Sequence, residues 1–575
     1  MISRIKRFLY NISCGILLIM DYVKKIEGLV KKAGLEEDVM VQQIKDDSMG
    51  DFAVPCFAAA KALRKNPNEI AKEFAGKICL NGSAFESVQA VGGYINFFLK
   101  KQNFAKEAFA KVFKEKDACL VKKAGKGKVV GIDFSSVNLA KHLHVGHLRN
   151  TVFGEILAKF FEASGFKVAR LNYLGDYGTP YGLLFAAAEK LGVDIMKCDT
   201  SGLQDVYVSG KNFAKEDAEF AERGRLIFKD IADGKNPELL KQFEYIRKTT
   251  FAEAQKIFDD FNIKFDSVNG EFFYSKFLPE AMDILRKAGI LKESRGAQIV
   301  DLNDVGLGVA ILISKDGYSL YMTRDIPAYI ERKREFGLDK LLYVVGSEQT
   351  LSFKQLFEIL GRLGFETKDK VKHIAHGLYT SSTGKISSRD GAKSLLKDIV
   401  AEAKERAYEV LEERGKSEGT EKERRELAAK IGKAALVFSV LNYSAGKDIV
   451  FDIDRSISFE GETGPYLQYT YARICSVLKN AEGKIESVEL EEVCEDEFRL
   501  AKLINNFADV IEASLNDYET YYVTKHLIEI AKVFNKFYNE NRILGNKSRL
   551  YVCECVRIAL EFGLKLIGIE PVEKM

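Results

Sequence analysis

The chain has 575 residues, is 46% hydrophobic and 29% charged, and carries a formal net charge of +3. That length allows roughly three or four domains with ample core, and the composition excludes fibrous and disordered classes. A net charge this small excludes recognition of a polyanion by bulk charge, so a nucleic-acid partner would be met by local basic patches.

Nine cysteines are dispersed along the chain without a CxxC pair or a Cys/His cluster of zinc spacing. Reduced thiols, no structural metal and a cytoplasmic setting are expected. The opening run MISRIKRFLYNISCGILLIM carries basic residues and then a short apolar stretch, superficially like a signal peptide. It is too short to span a bilayer and has no clear small-residue cleavage site. Met20 precedes a clean amphipathic helix, DYVKKIEGLVKKAGL, so residues 1–19 are expected to be a non-native or disordered extension.

Residues 20–120 alternate helical patterns with short strand-like runs such as VGGYINFFL. Asn66 is placed to cap a helix with Pro67 in its first turn. KKAGKGK (Lys122 to Lys128) has the composition of a linker. KVVGIDF, a long apolar-periodic helix and FKVARLNYLGD then form one βαβ unit of a parallel sheet. The glycine-rich GDYGTPYG ends its second strand. Charged helical patterns fill residues 205–265, and strand-like runs return at QIVDL, VAILI, LLYVVG and KHIAHGLY. LLYVVG is almost wholly apolar, as a strand buried on both faces should be. These elements predict an α/β domain over 121–395. Everything beyond is expected to be helical, with a connector over 396–460 and a bundle over 461–575. In TGPYLQYTYARICSVLKN, Leu467, Tyr471, Ile474 and Leu478 form one buried stripe, with Tyr469 and Arg473 roughly opposite.

Three of the six histidines fall within SSVNLAKHLHVGHLRN, centred on His144-Val145-Gly146-His147. A strand that turns into a helix through a polar loop leaves backbone N–H groups free for a phosphate. Two imidazoles there can hydrogen-bond phosphate oxygens, while Gly146 lets a nucleotide approach closely. The arrangement suits attack on the α-phosphate of a nucleoside triphosphate.

The run SSVNLAKHLHVGHLRNTVFGEIL resembles the ATP-binding signature of class I aminoacyl-tRNA synthetases, and specifically of the arginyl-tRNA synthetase family. Six further elements agree, in the family's order: GDFAVPCF with GGYINFFL, GDYGTPYG, SLYMTRDIPAYIERK, LYVVGSEQTLSFKQLF, GKISSRDGA, and GETGPYLQYTYAR with the Met-terminated tail. The resemblance implies a Rossmann-like doubly wound parallel-sheet catalytic domain, an α+β N-terminal tRNA-recognition domain and an all-α C-terminal anticodon-binding bundle. It implies ATP-dependent activation of arginine to arginyl-adenylate and transfer to the 3′ end of tRNA(Arg). The partners would be ATP, arginine and tRNA(Arg), with Mg²⁺ on the ATP rather than in a protein cage, no membrane, and a monomeric enzyme.

By the same resemblance, His144, His147 and Lys141 would stabilise charge developing on the triphosphate. Gly146, His376, Gly377, Lys385, Ser387 and Ser388 would complete the ATP site. The second signature departs from the class pattern KMSKS: Lys385-Ile386-Ser387-Ser388-Arg389 has Ser388 at the position of the second lysine, and Lys141 would supply the missing charge. Guanidinium is planar and permanently charged, so its pocket needs carboxylates in the plane of the fork. Asp325 would pair with it and Tyr321 would pack against it; their i, i+4 spacing places both on one face if a helix starts there. Gln349, Glu271, Ser136 and Asn138 would contact the rest of the amino acid. His142 has no assigned role. Val137, Tyr177 and Pro180 stand where the family usually has Pro, Trp and Gln.

Two other classes compete. An HxGH nucleotidyltransferase for a small cofactor precursor would be shorter and would have no use for a C-terminal bundle. A non-catalytic paralogue that binds RNA or senses arginine would not need His144, His147, Lys141 and Asp325 together.

Overall fold

The computed structural model describes residues 18–35, 39–44, 47–315, 317–381, 395–415, 419–481, 483 and 485–575. Two compact units emerge. One comprises the chain up to Lys122 with Tyr466–Lys565 and Glu570–Met575, the other Lys123–Pro465 with Leu566–Ile569. The first division falls inside the lysine-rich KKAGKGK run.

In the first unit, β1 (Gln42–Gln43), β2 (Phe52–Pro55), β3 (Phe85–Val91) and β4 (Tyr94–Leu99) form an antiparallel sheet ordered β1-β2-β4-β3. Gly92 and Gly93, at φ 56° and 82°, make the two-residue turn between β3 and β4. A hairpin this tight needs positive φ at both positions, which glycine supplies without strain. Asn66 caps the Pro67–Lys77 helix by accepting from the Asn68 amide at 2.9 Å. The rest of the unit is helical. Leu467, Tyr471 and Ile474 are buried in it, and the Arg473 guanidinium lies over the rings of Tyr469 and Tyr538 at 4.9 and 5.0 Å.

The second unit is built on β5 (Val129–Asp133), β6 (Lys167–Leu171), β10 (Lys340–Gly346) and β11 (Val371–His376), all parallel and ordered β11-β10-β5-β6. The chain leaves β5 for β6 on one side and returns to β10 on the other. The sheet therefore reverses its winding between β5 and β10, and ligands of such folds bind at the carboxyl ends of the strands beside that point. QIVDL and VAILI do form strands, but in a separate antiparallel sheet of β7 (Leu291–Ser294), β8 (Ala297–Asp301) and β9 (Val309–Ile313) inserted ahead of β10.

The expectation of an all-helical chain beyond residue 395 needs correcting. A short β13 (Ile449–Phe451) pairs in parallel with β12 (Tyr379–Ser381). Ile449 and Phe451 are buried while Val450 is exposed; three residues are too few for that alternation to register as a strand in sequence. Among the described residues, no helix is long and apolar enough to cross a membrane.

The Val145–Ala163 helix connects β5 to β6 and is buried on most of its circumference. A Cβ on Gly154 would overlap the Phe134 ring. Gly154→Ala should therefore destabilise the protein by about 1–3 kcal/mol, despite a gain in helix propensity of about 1 kcal/mol. Urea denaturation followed by circular dichroism reads the sign.

Candidate nucleotide and amino-acid site

β5 delivers Asp133 to the carboxyl edge of the sheet, and the chain then turns through residues 134–144 into the Val145–Ala163 helix. Three residues of this turn other than glycine hold left-handed backbone conformations: Ser135 (φ 76°), Ser136 (φ 55°) and Ala140 (φ 56°). Each costs roughly 1–2 kcal/mol, so the surroundings must impose them. The Ser135 carbonyl accepts from Asn150 Nδ2 at 3.2 Å, and its hydroxyl accepts from Thr151 Oγ1 at 3.1 Å. The Ala140 amide donates to Thr250 Oγ1 at 3.0 Å, and the Val137 amide to Asn172 Oδ1 at 3.3 Å. Asn138 bridges to Gly175, where any side chain would collide with the asparagine.

His144 is the N-cap of the helix and His147 its third residue, and their imidazoles complete a capping box. His144 Nδ1 accepts from the Gly146 amide at 3.1 Å, and His147 Nδ1 accepts from the His144 amide at 3.1 Å. A ring nitrogen that accepts a hydrogen bond carries no hydrogen, so in both neutral rings the proton sits on Nε2. Two Nε2–H donors, on rings with centroids 4.0 Å apart, thus stand at the positive end of a helix dipole. That is an anion-binding arrangement. A Cβ on Gly146 would come within 2.9 Å of His144 Cε1 and displace the ring.

Three other residues expected at the ATP site lie among the described residues. Lys141 rests its ammonium 4.7 Å from the centre of the Tyr207 ring, and burial lowers its pKa. His376 ends β11, its Nδ1 3.0 Å from the Gly377 carbonyl, and burial lowers its pKa too. Gly377 is tied by its amide to the Ala445 carbonyl at 3.0 Å. Lys385, Ser387 and Ser388 lie outside the described residues. Arg149, which the sequence analysis passed over, is buried on the Val145–Ala163 helix. It donates to the carbonyls of Leu378, Ser444 and Ala445 at 3.0, 3.1 and 2.7 Å. An arginine inside an otherwise apolar helical run was the signal for it.

The acidic side of the site lies on the Tyr321–Phe336 helix. This helix does begin at Tyr321, so Tyr321 and Asp325 share a face. Arg332, two turns beyond Asp325, is buried and donates to Asp133 Oδ2 at 2.8 Å. Asp133 is a second residue that sequence reasoning missed; an acidic residue closing the apolar KVVGIDF strand was its signature. Glu271, expected against a substrate guanidinium, is paired within the chain. Its Oε2 accepts from Arg324 Nε at 2.6 Å. Arg324 also donates to the Ser319 carbonyl at 2.9 Å and lies 4.5 and 5.2 Å from the ring centres of Tyr177 and Tyr321. The Arg324 guanidinium thus supplies a counter-charge to Glu271.

Asp325 is different. Among the described residues it makes no side-chain hydrogen bond and no ion pair. Burial, and next the negative charge of Glu271, push its pKa up to about 7, against the pull of Arg324 and Arg332. The Tyr173 hydroxyl is buried and also lacks a hydrogen-bond partner. Burial first, and then the charges of Asp325 and Glu271, hold its pKa well above the usual tyrosine value. Gln349 is exposed at the end of the short Ser347–Gln349 turn that follows β10. Ser136, Asn138, His144, Gly146, His147, Gln349, His376 and Gly377 all follow or end strands at the carboxyl edge of one sheet.

The catalytic-domain profile of "tRNA synthetases class I (R)" matches residues 110–453. The arginyl tRNA synthetase N-terminal profile matches residues 19–99, and the DALR anticodon binding domain profile residues 467–575. The arginine–tRNA ligase of Clostridium botulinum is 37% identical over 97% of the chain and all of that protein. That of Clostridium acetobutylicum is 38% identical with the same coverage. The chain belongs to the arginyl-tRNA synthetase family. Arginyl-tRNA synthetase structures from Plasmodium falciparum and Thermus thermophilus share its fold, with TM-scores of 0.81 and 0.76 at 22% and 24% identity. They cover 96% of this chain, and the chain covers 99% and 100% of theirs.

Among the described residues Asp176 resembles Asp325, since burial pushes its pKa up to about 7 as well. Carbon-13 NMR of labelled aspartate should show two such transitions in the free protein. Asp325→Asn should remove one and leave the other.

Proposed function

We propose that the protein is an arginine–tRNA ligase whose amino-acid specificity rests on Asp325. The observation that carries this reading is a half-buried carboxylate without a counter-ion among the described residues, on a helix braced to the carboxyl end of β5, the strand that leads into the imidazole turn. An unpaired carboxylate in such a place is stabilised by a cation that brings its own hydrogen-bond donors, and a guanidinium offers a planar fork of them.

In this reading, ATP lies along the Val145–Ala163 helix N-terminus with its phosphates on the Nε2–H groups of His144 and His147. Mg²⁺ enters as part of the MgATP substrate. The α-carboxylate of arginine attacks the α-phosphate, pyrophosphate leaves, and the two imidazoles stabilise the charge of the five-coordinate phosphorus. Lys141, lifted from the Tyr207 ring, faces the leaving pyrophosphate; Gly146, His376, Gly377, Lys385, Ser387 and Ser388 frame the nucleotide. Ser136, Asn138 and Gln349 orient the amino-acid end of arginine. Asp325 takes its guanidinium, with Tyr321 against it and Glu271 acting through Arg324. The terminal ribose hydroxyl of tRNA(Arg) then attacks the acyl carbon and releases AMP. No covalent enzyme intermediate is required, so catalysis is positioning and charge stabilisation. The N-terminal sheet would meet the tRNA elbow, the C-terminal helices the anticodon stem and loop. Within those helices, aromatics such as Tyr469 would stack on splayed bases. The enzyme would act as a cytoplasmic monomer.

Incubation with ATP, total tRNA and each radiolabelled amino acid should make arginine acid-precipitable; charging of lysine or cysteine instead would refute the assignment. The KM for arginine should also fall as pH rises toward about 7 and level off above it. Below its raised pKa Asp325 is neutral, and binding a cation then requires loss of its proton. Asp325→Asn should raise that KM about tenfold or more, the cost of one charge-assisted hydrogen bond, and flatten its pH dependence.

A further inference from the structure

The sequence analysis left His142 without a role, and the proposed mechanism does not use it. Its surroundings are specific. His142 Nδ1 lies 2.6 Å from Glu253 Oε1, and its Nε2 lies 3.1 Å from Ser201 Oγ. Its main-chain amide donates to Gln204 Oε1 at 3.0 Å. A carboxylate can only accept, so the Nδ1–H donates to Glu253, while Nε2 shares a hydrogen bond with the Ser201 hydroxyl. His142 is thus gripped by two helices: Thr200–Glu216 holds its ring through Ser201 and its main-chain amide through Gln204, and Pro237–Asp260 holds its ring through Glu253.

The second helix touches the same turn twice. Thr250 receives the amide of Ala140, one of the left-handed residues, and Glu253 lies three residues further along the same helical face. Glu253 also faces Lys397 Nζ at 3.5 Å. Lys397 stands at the start of the Leu396–Glu413 helix, which is stitched to the histidine turn through the backbone. The Leu396 amide donates to the Leu143 carbonyl at 2.9 Å, and Leu395 bridges antiparallel to His144. One carboxylate therefore holds a side chain from each of two segments that meet at the catalytic turn.

We infer that Glu253 is a positioning residue for the nucleotide: it fastens His142 and Lys397 together and so keeps the histidine turn and the root of the Leu396–Glu413 helix in register. Without it, the strained residues of the turn lose one of the external restraints that hold them against their own backbone preference. The His144 and His147 Nε2–H groups would then sample orientations away from the phosphates. Lys397 is largely exposed, so its arm is the weaker of the two. The inference rests on the reading of the turn as the triphosphate site.

ATP–pyrophosphate exchange by the full chain, with arginine and tRNA present, tests it. Glu253→Ala should raise the KM for ATP about tenfold, with the KM for arginine within about twofold and the melting temperature nearly unchanged. Glu253→Gln, which can still accept from His142, should recover most of the loss. His142→Phe combined with Glu253→Ala should cost little more than either alone, since both remove one contact. Should Glu253→Ala not fold, Glu253→Gln against His142→Phe still decides, because the conservative variant must be the milder in ATP affinity. An unchanged KM for ATP, equal losses toward ATP and arginine, or full additivity would overturn the inference. A His147→Ala enzyme with undiminished exchange would instead overturn the nucleotide site itself.

Discussion

The buried ion pair between Asp133 and Arg332 is the constraint on which the placement of the Tyr321–Phe336 helix depends. Both side chains are almost wholly removed from solvent, and Arg332 Nε also donates to the Tyr274 hydroxyl at 3.3 Å. Taking two charges out of water is expensive, and leaving either one alone costs about 3–5 kcal/mol. The pair therefore locks the Tyr321–Phe336 helix to the carboxyl end of β5. Asp325, seven residues before Arg332 on the same helical face, is carried with it to the edge of the sheet. Tyr321 and Arg324 come along because they begin the same helix.

The acidic residues around that helix differ in whether their charge is matched within the chain. Asp133 is matched by Arg332 and Glu271 by Arg324, each through a short bond in a buried setting. Arg324 is further covered by two tyrosine rings. Asp325 alone of these carboxylates has no partner among the described residues. It is kept near its ionisation midpoint by burial, by the opposing field of Glu271 and by the help of two arginines. A carboxylate held in that state gains most from a cation that remains charged when desolvated, which favours guanidinium over ammonium.

The imidazole turn works differently. The Nδ1 atoms of His144 and His147 accept helix-capping bonds, so the same contacts that start the helix fix the tautomer and orient both Nε2–H groups. The turn before them is strained at three residues and is held from outside by Thr250, Asn150, Thr151 and Asn172. Strain kept in place by neighbours gives a preorganised site, because little reorganisation is left to be done when charge develops.

Much of this was legible in the chain itself. The βαβ unit, the apolar β10, the Asn66 cap and the imidazole pair at a strand-to-helix turn all rest on short-range periodicity and local turn chemistry, which a sequence displays directly. What tertiary structure decided is how charges at long separation find one another. Asp133 meets Arg332 across 199 positions, and Glu271 meets Arg324 rather than standing open. The same holds for the position of Lys141 against Tyr207, the antiparallel setting of β7 to β9 and the three-residue β13. Local preference ranks the conformations of a segment; it does not choose among distant partners of equal charge. That choice belongs to burial and to the packing that brings two helices against one turn.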